Sequence, residues 1–75
     1  MPKLPILTPK KLIRVLLKLG FFHSHGKGSH MVMAHNDGRR AVVAMHGRDL
    51  PKGTLLGILK DLQISKEQLI ELLND

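Results

Sequence analysis

The tripeptide "NDG" at residues 36–38 separates two short, largely apolar segments, residues 29–35 and 39–46. Asp-Gly supplies the positive φ values that a tight turn needs, so the tripeptide predicts a β-hairpin whose strands pair antiparallel. The pattern leaves the register open, because a one-residue slip moves every side chain to the other face of the sheet. Whether His30 and His46 face the same way is therefore undecided at this point.

A further short strand is predicted just before this hairpin. Residues 21–25, "FFHSH", have the length and aromatic content of a strand, and "GKG" at residues 26–28 is expected to break it. The chain would then contain three short strands in succession, which is enough for a small antiparallel sheet.

The segment before the strands predicts an amphipathic helix. Thr8 is expected to cap it, Pro9 fits its first position, and Gly20 is expected to end it in a left-handed conformation. Its buried face is predicted from four apolar residues at helical spacing: Leu12, Ile13, Leu16 and Leu19. A cationic stripe is expected on the opposite side, made of Lys10 or Lys11, Arg14 and Lys18.

Two more helices are predicted after the strands. Thr54 is expected to cap the first of them, which is apolar nearly all round and should be deeply buried. Gly57 in its middle costs about 1 kcal/mol relative to Ala, which suggests close packing against another backbone, that of the sheet. Ser65 and Gln68 form a capping box that predicts the last helix.

The order α-β-β-β-α-α predicts an α+β fold. Its three-stranded antiparallel sheet should carry the helices packed on one face and leave the other face open. A chain of 75 residues makes a single domain, residues 1–75, and its first seven residues are expected to be loosely held.

Charge narrows the class of partner. Residues 1–52 carry ten Lys or Arg and two Asp, a net charge of +8, whereas residues 53–75 carry two Lys and four acids, a net charge of −2. A basic region of this kind suggests nucleic acid as the partner. Many small proteins, however, are basic only because charge keeps them in solution. No apolar run approaches the roughly 18 residues of a membrane span, and the absence of cysteine excludes disulfides. We expect a cytoplasmic protein without a membrane partner.

The five histidines raise the question of a metal site. His23 and His25 stand two residues apart, so they would share a face of their strand. No carboxylate lies near them in sequence, and zinc ligands usually have such supporting groups. We therefore expect neither a metal nor a small-molecule cofactor.

The pentapeptide "GKGSH", residues 26–30, suggests a phosphate-directed site. Glycines such as Gly28 let the backbone approach a ligand closely, while Lys27 adds charge and Ser29 a hydroxyl. His30 then enters a strand, where it is placed to act as general base or acid beside a phosphodiester. A lone histidine at the start of a strand is more often structural, and that interpretation stays open for His30 at this point.

RNA suits such a site because its 2′-OH is an internal nucleophile. Once the 2′-OH is deprotonated it can attack the adjacent phosphate without a metal, and Lys27, Arg39 and Arg40 would stabilise the charge that develops. One histidine cannot be base and acid at the same instant. A second group must protonate the leaving oxygen, and His46, Ser29 and Lys27 are the candidates.

Several short motifs occur in a specific order along residues 3–73. They are Gly20-Phe21, Gly28-Ser29-His30, Val43-Ala44-Met45-His46, and Gly53-Thr54-Leu55 through Ile58-Leu59. In this order and spacing the chain resembles the HicA-type toxins, the small mRNA interferases of HicA–HicB toxin–antitoxin systems. Ala44 departs from the pattern, since the family often has proline there, and His23 and His25 are unusual.

The resemblance implies a dsRBD-like fold, similar to that of double-stranded RNA-binding domains. It implies cleavage of mRNA without a metal or cofactor, with His30 as the catalytic residue and a HicB-type antitoxin that covers the active site. His46 matches the second histidine of the family, and both an RNA contact and a structural role are open for it. The other functions left open are a non-catalytic RNA-binding module and a plain interaction protein for an acidic partner.

Overall fold

The computed structural model of the protein describes residues 3–74, which form an α+β fold. The elements are α1 (Pro9–Lys18), β1 (Phe22–Lys27), β2 (His30–Ala34), β3 (Arg40–Ala44), α2 (Lys52–Leu62) and α3 (Lys66–Leu73). The strands form one antiparallel sheet in the order β1-β2-β3, with β2 in the centre. The predicted element order is confirmed, and the arrangement is consistent with a dsRBD-like fold.

Helix α1 begins and ends as predicted. The Thr8 hydroxyl accepts a hydrogen bond from the backbone N–H of Lys11 at 3.3 Å, which satisfies one of the free donors of the first turn. Pro9 occupies the first turn, and Gly20 follows the helix with a φ of +92°. Its buried residues are Pro9, Leu12, Val15 and Leu16, whereas Ile13 and Leu19 are only half-buried.

The predicted break of the first strand at residues 26–28 is wrong. Strand β1 continues to Lys27, which pairs with His30, so that Gly28 and Ser29 alone connect the strands. Gly28 has a φ of +62° at the first central position, as in a type II′ turn. Such a turn matches the twist of the strands, and pairing can therefore extend to the residues that flank it.

The predicted hairpin between β2 and β3 is confirmed, with a different turn. The His35 N–H donates to the Arg39 carbonyl at 2.8 Å, and the Gly38 N–H donates to the His35 carbonyl at 2.9 Å. Gly38 has a φ of +98°, whereas Asp37 is not left-handed. The loop thus has three residues with glycine in the left-handed position, and Asp-Gly does not form the two-residue turn with two positive φ values.

Register assigns each side chain of the hairpin to a face. Met33 lies opposite Ala41, and both are buried against the helices together with Val43. Val32 lies opposite Val42, whose side chain is 54% exposed on the other face. Directly opposed residues share a face of the sheet, so the helices cover one face and leave the second one open, as predicted.

The core lies between the sheet and the helices, where α2 packs on β3 and α1 packs on α3. Leu7 belongs to this core, and its carbonyl accepts the Leu50 N–H at 2.7 Å. The expectation that the first seven residues are loosely held is therefore wrong for Leu7, and residues 1–2 lie outside the described part of the chain.

Helix α2 differs from its prediction at two points. It begins at Lys52 after Pro51, so Thr54 lies inside its first turn and caps nothing. The preset φ of proline suits the entry to a helix, which explains the earlier start. Gly57 is exposed, and a Cβ built on it meets no atom within 4 Å. The predicted close packing at Gly57 is wrong, because the helix directs Leu55 and Ile58 toward the core instead.

Helix α3 starts at the predicted cap. The Ser65 hydroxyl accepts the Gln68 N–H at 3.0 Å, and Leu69 one position later is fully buried. Leu72 and Leu73 are half-buried against the same core. The last helix thus closes the core by an amphipathic face, as its sequence pattern indicates.

Arg39 connects the β2–β3 turn to α2. Its Nη1 donates to the Leu62 carbonyl at 2.7 Å, its Nε donates to the Asp37 carboxylate at 2.8 Å, and its guanidinium lies 5.0 Å from the centroid of the Phe21 ring. A cation is favourable at the C-terminal end of a helix, where carbonyls lack partners. Arg39 therefore holds three separate parts of the fold together.

Replacing Gly57 by Ala should stabilise the protein by about 0.5–1 kcal/mol, because the site is an exposed helix interior with room for a methyl group. The measurement is the urea midpoint at unchanged slope. Gly38→Ala is the control, and it should destabilise the protein because its φ is +98°. A lower midpoint for Gly57→Ala would show that its surroundings are not open.

Arg39→Ala should cost about 2 kcal/mol of unfolding free energy, since it leaves the half-buried Leu62 carbonyl without its charged donor. The matched control is its neighbour Arg40→Ala, whose exposed side chain lies on the other face of the sheet; it should cost less than about 0.5 kcal/mol. Equal effects of the two substitutions in thermal unfolding would contradict the structural role of Arg39.

Candidate functional site

The face of the sheet away from the helices, here called the open face, carries nine side chains in three cross-strand rows. The first row is Lys27, His30 and Ala44; the second is His25, Val32 and Val42; the third is Phe22, Ala34 and Arg40. None of the nine is acidic, and five of them are apolar and lie among the histidines and cations. This composition suits an anionic ligand that also offers flat or apolar surface.

His30 is the first residue of β2 and its side chain is exposed. Its cross-strand neighbours are Lys27 on β1 and Ala44 on β3. Directly opposed side chains have Cβ atoms about 4.5–5.5 Å apart, so the Lys27 ammonium can reach a group bound at the imidazole. Ala44 is small and does not cover the imidazole.

His46 lies beside His30, which answers the question that the sequence left open. The two ring centroids are 6.1 Å apart, and the ring planes meet at 80°. The chain after β3 is held in place because the Met45 N–H donates to the Ser29 carbonyl in the β1–β2 turn. That bond continues the pairing of the strands beyond Ala44 and brings His46 to the end of the sheet where His30 begins.

The two predicted arginines occupy different faces. Arg40 belongs to the third row of the open face, two rows from His30, which corresponds to about 13 Å along the strands. Arg39 points to the helix side, where its guanidinium contacts Asp37, Phe21 and the Leu62 carbonyl. The structure thus brings Lys27, His30 and His46 together, places Arg40 farther along the same face, and keeps Arg39 apart.

The expectation that His23 and His25 share a face is wrong. A β-bulge lies between them, since His23 pairs with Met33 and His25 pairs with Val32. The extra residue reverses the alternation of the strand, so His25 lies on the open face and His23 on the helix side. His25 is a diagonal neighbour of His30, at about 7–8 Å between such positions. Regular alternation along the sequence carries no signal of this bulge.

His35 is part of the turn rather than of the open face. Its ring packs edge-on against Phe21 with centroids 4.9 Å apart, and its Nδ1 accepts the Asp37 N–H at 3.1 Å. The backbone N–H of Arg39 donates to the Asp37 carboxylate and holds the pKa of that carboxyl below its usual value. His35 therefore serves the turn that sets the strand register.

Neither a metal cluster nor a membrane helix is found in the part of the chain that the structure describes. Within residues 3–74, no three His, Asp or Glu side chains are grouped so that they could hold a metal ion. No helix in the same range is long and apolar enough to cross a membrane.

Comparison with known proteins assigns the family. Residues 9–64, more than half of the chain, match the family model described as the HicA toxin of bacterial toxin–antitoxin systems. The matched range extends from the start of α1 to the end of α2 and includes His30, His46 and Lys27. No curated protein matches the chain. With its element order and its family match in agreement, this chain belongs to the HicA toxin family of bacterial toxin–antitoxin systems.

Proposed function

We propose that this HicA toxin is a metal-independent endoribonuclease that cleaves mRNA, with His30 as its catalytic residue. The observation that carries the proposal is the exposed imidazole of His30 on the open face, opposite Lys27 and 6.1 Å from the His46 ring. A histidine on a rigid strand, accessible to solvent and next to a cation, is open to a phosphodiester and suited to proton transfer there.

The reaction uses the 2′-OH of the RNA as nucleophile. Proton transfer to the His30 imidazole activates this hydroxyl for attack on the adjacent phosphorus. The Lys27 ammonium stabilises the negative charge that the phosphate gains in the transition state, and the Ser29 hydroxyl, one residue before His30 in the turn, would orient a phosphate oxygen. Gly28 has open space where a Cβ would stand, so the RNA backbone can approach the turn closely.

The rest of the open face would bind the RNA strand on one side of the cleavage point. Val42 and Phe22 are 54% and 44% exposed and offer apolar surface for bases, and Arg40 lies at the far end for a second phosphate. Arg39 was predicted as a phosphate contact from its sequence position. We propose a structural role for it instead, because its guanidinium already contacts Asp37 and the Leu62 carbonyl.

We further propose a HicB-type antitoxin as the protein partner, bound over the open face. An acidic surface on that partner would be attracted to Lys27 and Arg40, and steering by opposite charge makes association fast. The exposed side chains of Val42 and Phe22 would supply apolar contact area at the centre of the interface. Binding there would exclude RNA from His30.

A second candidate function is a non-catalytic RNA-binding module with the same surface. The cations and exposed apolar side chains of the open face favour it as much as they favour a nuclease. The difference lies in whether RNA is cut, because a binder leaves the RNA intact and its complex weakens steeply with salt. Chelation of metal ions alone does not distinguish a nuclease from an RNA-binding module. The test therefore also needs a variant that lacks the proposed catalytic residue, His30.

His30→Ala should lower RNA cleavage by at least about 100-fold, which is the lower end of what a general acid or base contributes. The measurement is mRNA cleavage by purified protein in EDTA, resolved on a denaturing gel, together with growth arrest after induction in cells. The matched control is His23→Ala, which removes an exposed histidine on the helix side of the bulge. That variant should cleave RNA and arrest growth as the wild-type protein does.

Intact RNA with the wild-type protein, combined with a salt-sensitive gel shift, would support the RNA-binding module and contradict the nuclease. Full growth arrest by a folded His30→Ala variant would contradict the catalytic role of His30. Loss of wild-type cleavage in EDTA would contradict the metal-independent reaction.

A further inference from the structure

We propose that His46 is the general acid of the reaction, the residue that protonates the leaving 5′-oxygen while His30 acts as the base. This inference rests on the proposed nuclease function and adds a second catalytic residue to it. It starts from the observation that two exposed imidazoles lie side by side at one end of the open face, with ring centroids 6.1 Å apart.

The two rings are close enough for both to contact one phosphate. In an in-line displacement, the attacking 2′-oxygen and the leaving 5′-oxygen stand on opposite sides of the phosphorus. A base and an acid must each reach its own oxygen over a hydrogen bond of about 2.6–3.2 Å, and each bond can approach its oxygen at an angle to the line through the phosphorus. Two rings with centroids 6.1 Å apart can therefore each contact one of the two oxygens of a phosphate bound beside them.

The position of His46 is set by the backbone on both sides of it. The Met45 N–H donates to the Ser29 carbonyl, which anchors the chain beside the β1–β2 turn. Gly47 follows with a φ of +85°, so the backbone turns away immediately after His46. The histidine is thus held at the rim of the open face with its side chain exposed, although it lies outside the strand.

The roles follow from the elements that carry the two rings. His30 lies on a paired strand, and a base that directs the attack needs a fixed position. His46 lies on the loop after β3, where a ring can follow the 5′-oxygen as it leaves the phosphorus. Lys27 and Ser29 lie beside His30 at the same end of the sheet. Imidazole is the side chain suited to transferring protons near neutral pH, whereas an ammonium acts there as a fixed charge and a hydroxyl as a hydrogen-bond donor.

The step balances without metal, water or cofactor. Neutral His30 takes the 2′-OH proton while the bond from the 2′-oxygen to phosphorus forms. The bond from phosphorus to the 5′-oxygen breaks, and protonated His46 gives its proton to that oxygen. The products are a 2′,3′-cyclic phosphate and a free 5′-OH. His30 is then protonated and His46 neutral, and exchange of protons with solvent restores both.

The test uses an RNA oligonucleotide in which sulfur replaces the bridging 5′-oxygen at the linkage that the wild-type protein cleaves. A thiolate leaves without being protonated, since thiols ionise far more readily than alcohols. His46→Ala should cleave the ordinary RNA at least about 100-fold more slowly than wild type. On the sulfur-containing RNA it should lie within about 5-fold of wild type, because no acid is needed there. His30→Ala should be slow on both RNAs, as the base is needed in either case.

His46→Gln is the second variant, because it keeps a hydrogen-bond donor but cannot deliver a proton as an acid. It should behave like His46→Ala on both substrates, and thermal unfolding should show that both variants are folded. Equal loss on the two RNAs would overturn the proposal, since it would assign His46 to binding or to structure. Full cleavage of ordinary RNA by His46→Ala would overturn it as well. Absence of cleavage by the wild-type protein is a different outcome, which overturns the nuclease function itself and with it the role of His46.

Discussion

The register between β2 and β3 determines which side chains the protein presents to solvent. It is set by the loop at residues 36–38, in which Gly38 takes a φ of +98° and the His35 N–H donates to the Arg39 carbonyl. With this loop, His30 lies opposite Ala44, and Met33 lies opposite Ala41. A shift of one residue would turn Met33 to solvent and His30 toward the helices. Burial of a methionine side chain contributes about 1.5–3 kcal/mol, so the core itself keeps His30 on the open face.

The one-sided helix layer separates stability from chemistry. All the buried side chains of the sheet face the helices, which are joined to the β2–β3 turn through Arg39 and the Leu62 carbonyl. The side chains of the open face do not pack against the helices, so exposed polar and apolar side chains can lie there together. Arg39 and Arg40 illustrate the division, because Arg39, at the end of the turn, contacts the helix side whereas Arg40, the first residue of β3, lies on the open face.

The sequence predicted the fold class because its signals are local. Thr8 and Ser65 cap their helices as predicted, and the glycine after Asp37 marks the hairpin. The predicted start of α2 at Thr54 was wrong because the preset φ of Pro51 outweighed the preference of the Thr54 side chain for a capping position. The predicted close packing of Gly57 was wrong because the sequence of a helix that is apolar nearly all round does not show which side faces solvent.

The sequence predicted individual residues of the candidate site but not their arrangement in space. The spacing of "GKGSH" and the family resemblance identified His30 and its neighbours, and both are one-dimensional patterns. The position of His46 beside His30 depends on the hydrogen bond from the Met45 N–H to the Ser29 carbonyl. The opposite directions of His23 and His25 depend on a β-bulge. Both are long-range or irregular features of strand pairing, and neither leaves a mark in the order of the residues.

The central claim is that RNA meets this protein on the open face of the sheet, at the end where His30 and His46 lie. The most direct measurement is the change in backbone amide NMR shifts when the toxin binds an RNA carrying 2′-O-methyl groups, which cannot attack their own phosphates. The shift changes should be concentrated at residues 27–32 and 40–47, with α1 and α3 nearly unaffected. Changes concentrated on α1 and α3, with the residues around His30 unaffected, would exclude RNA binding at the open face.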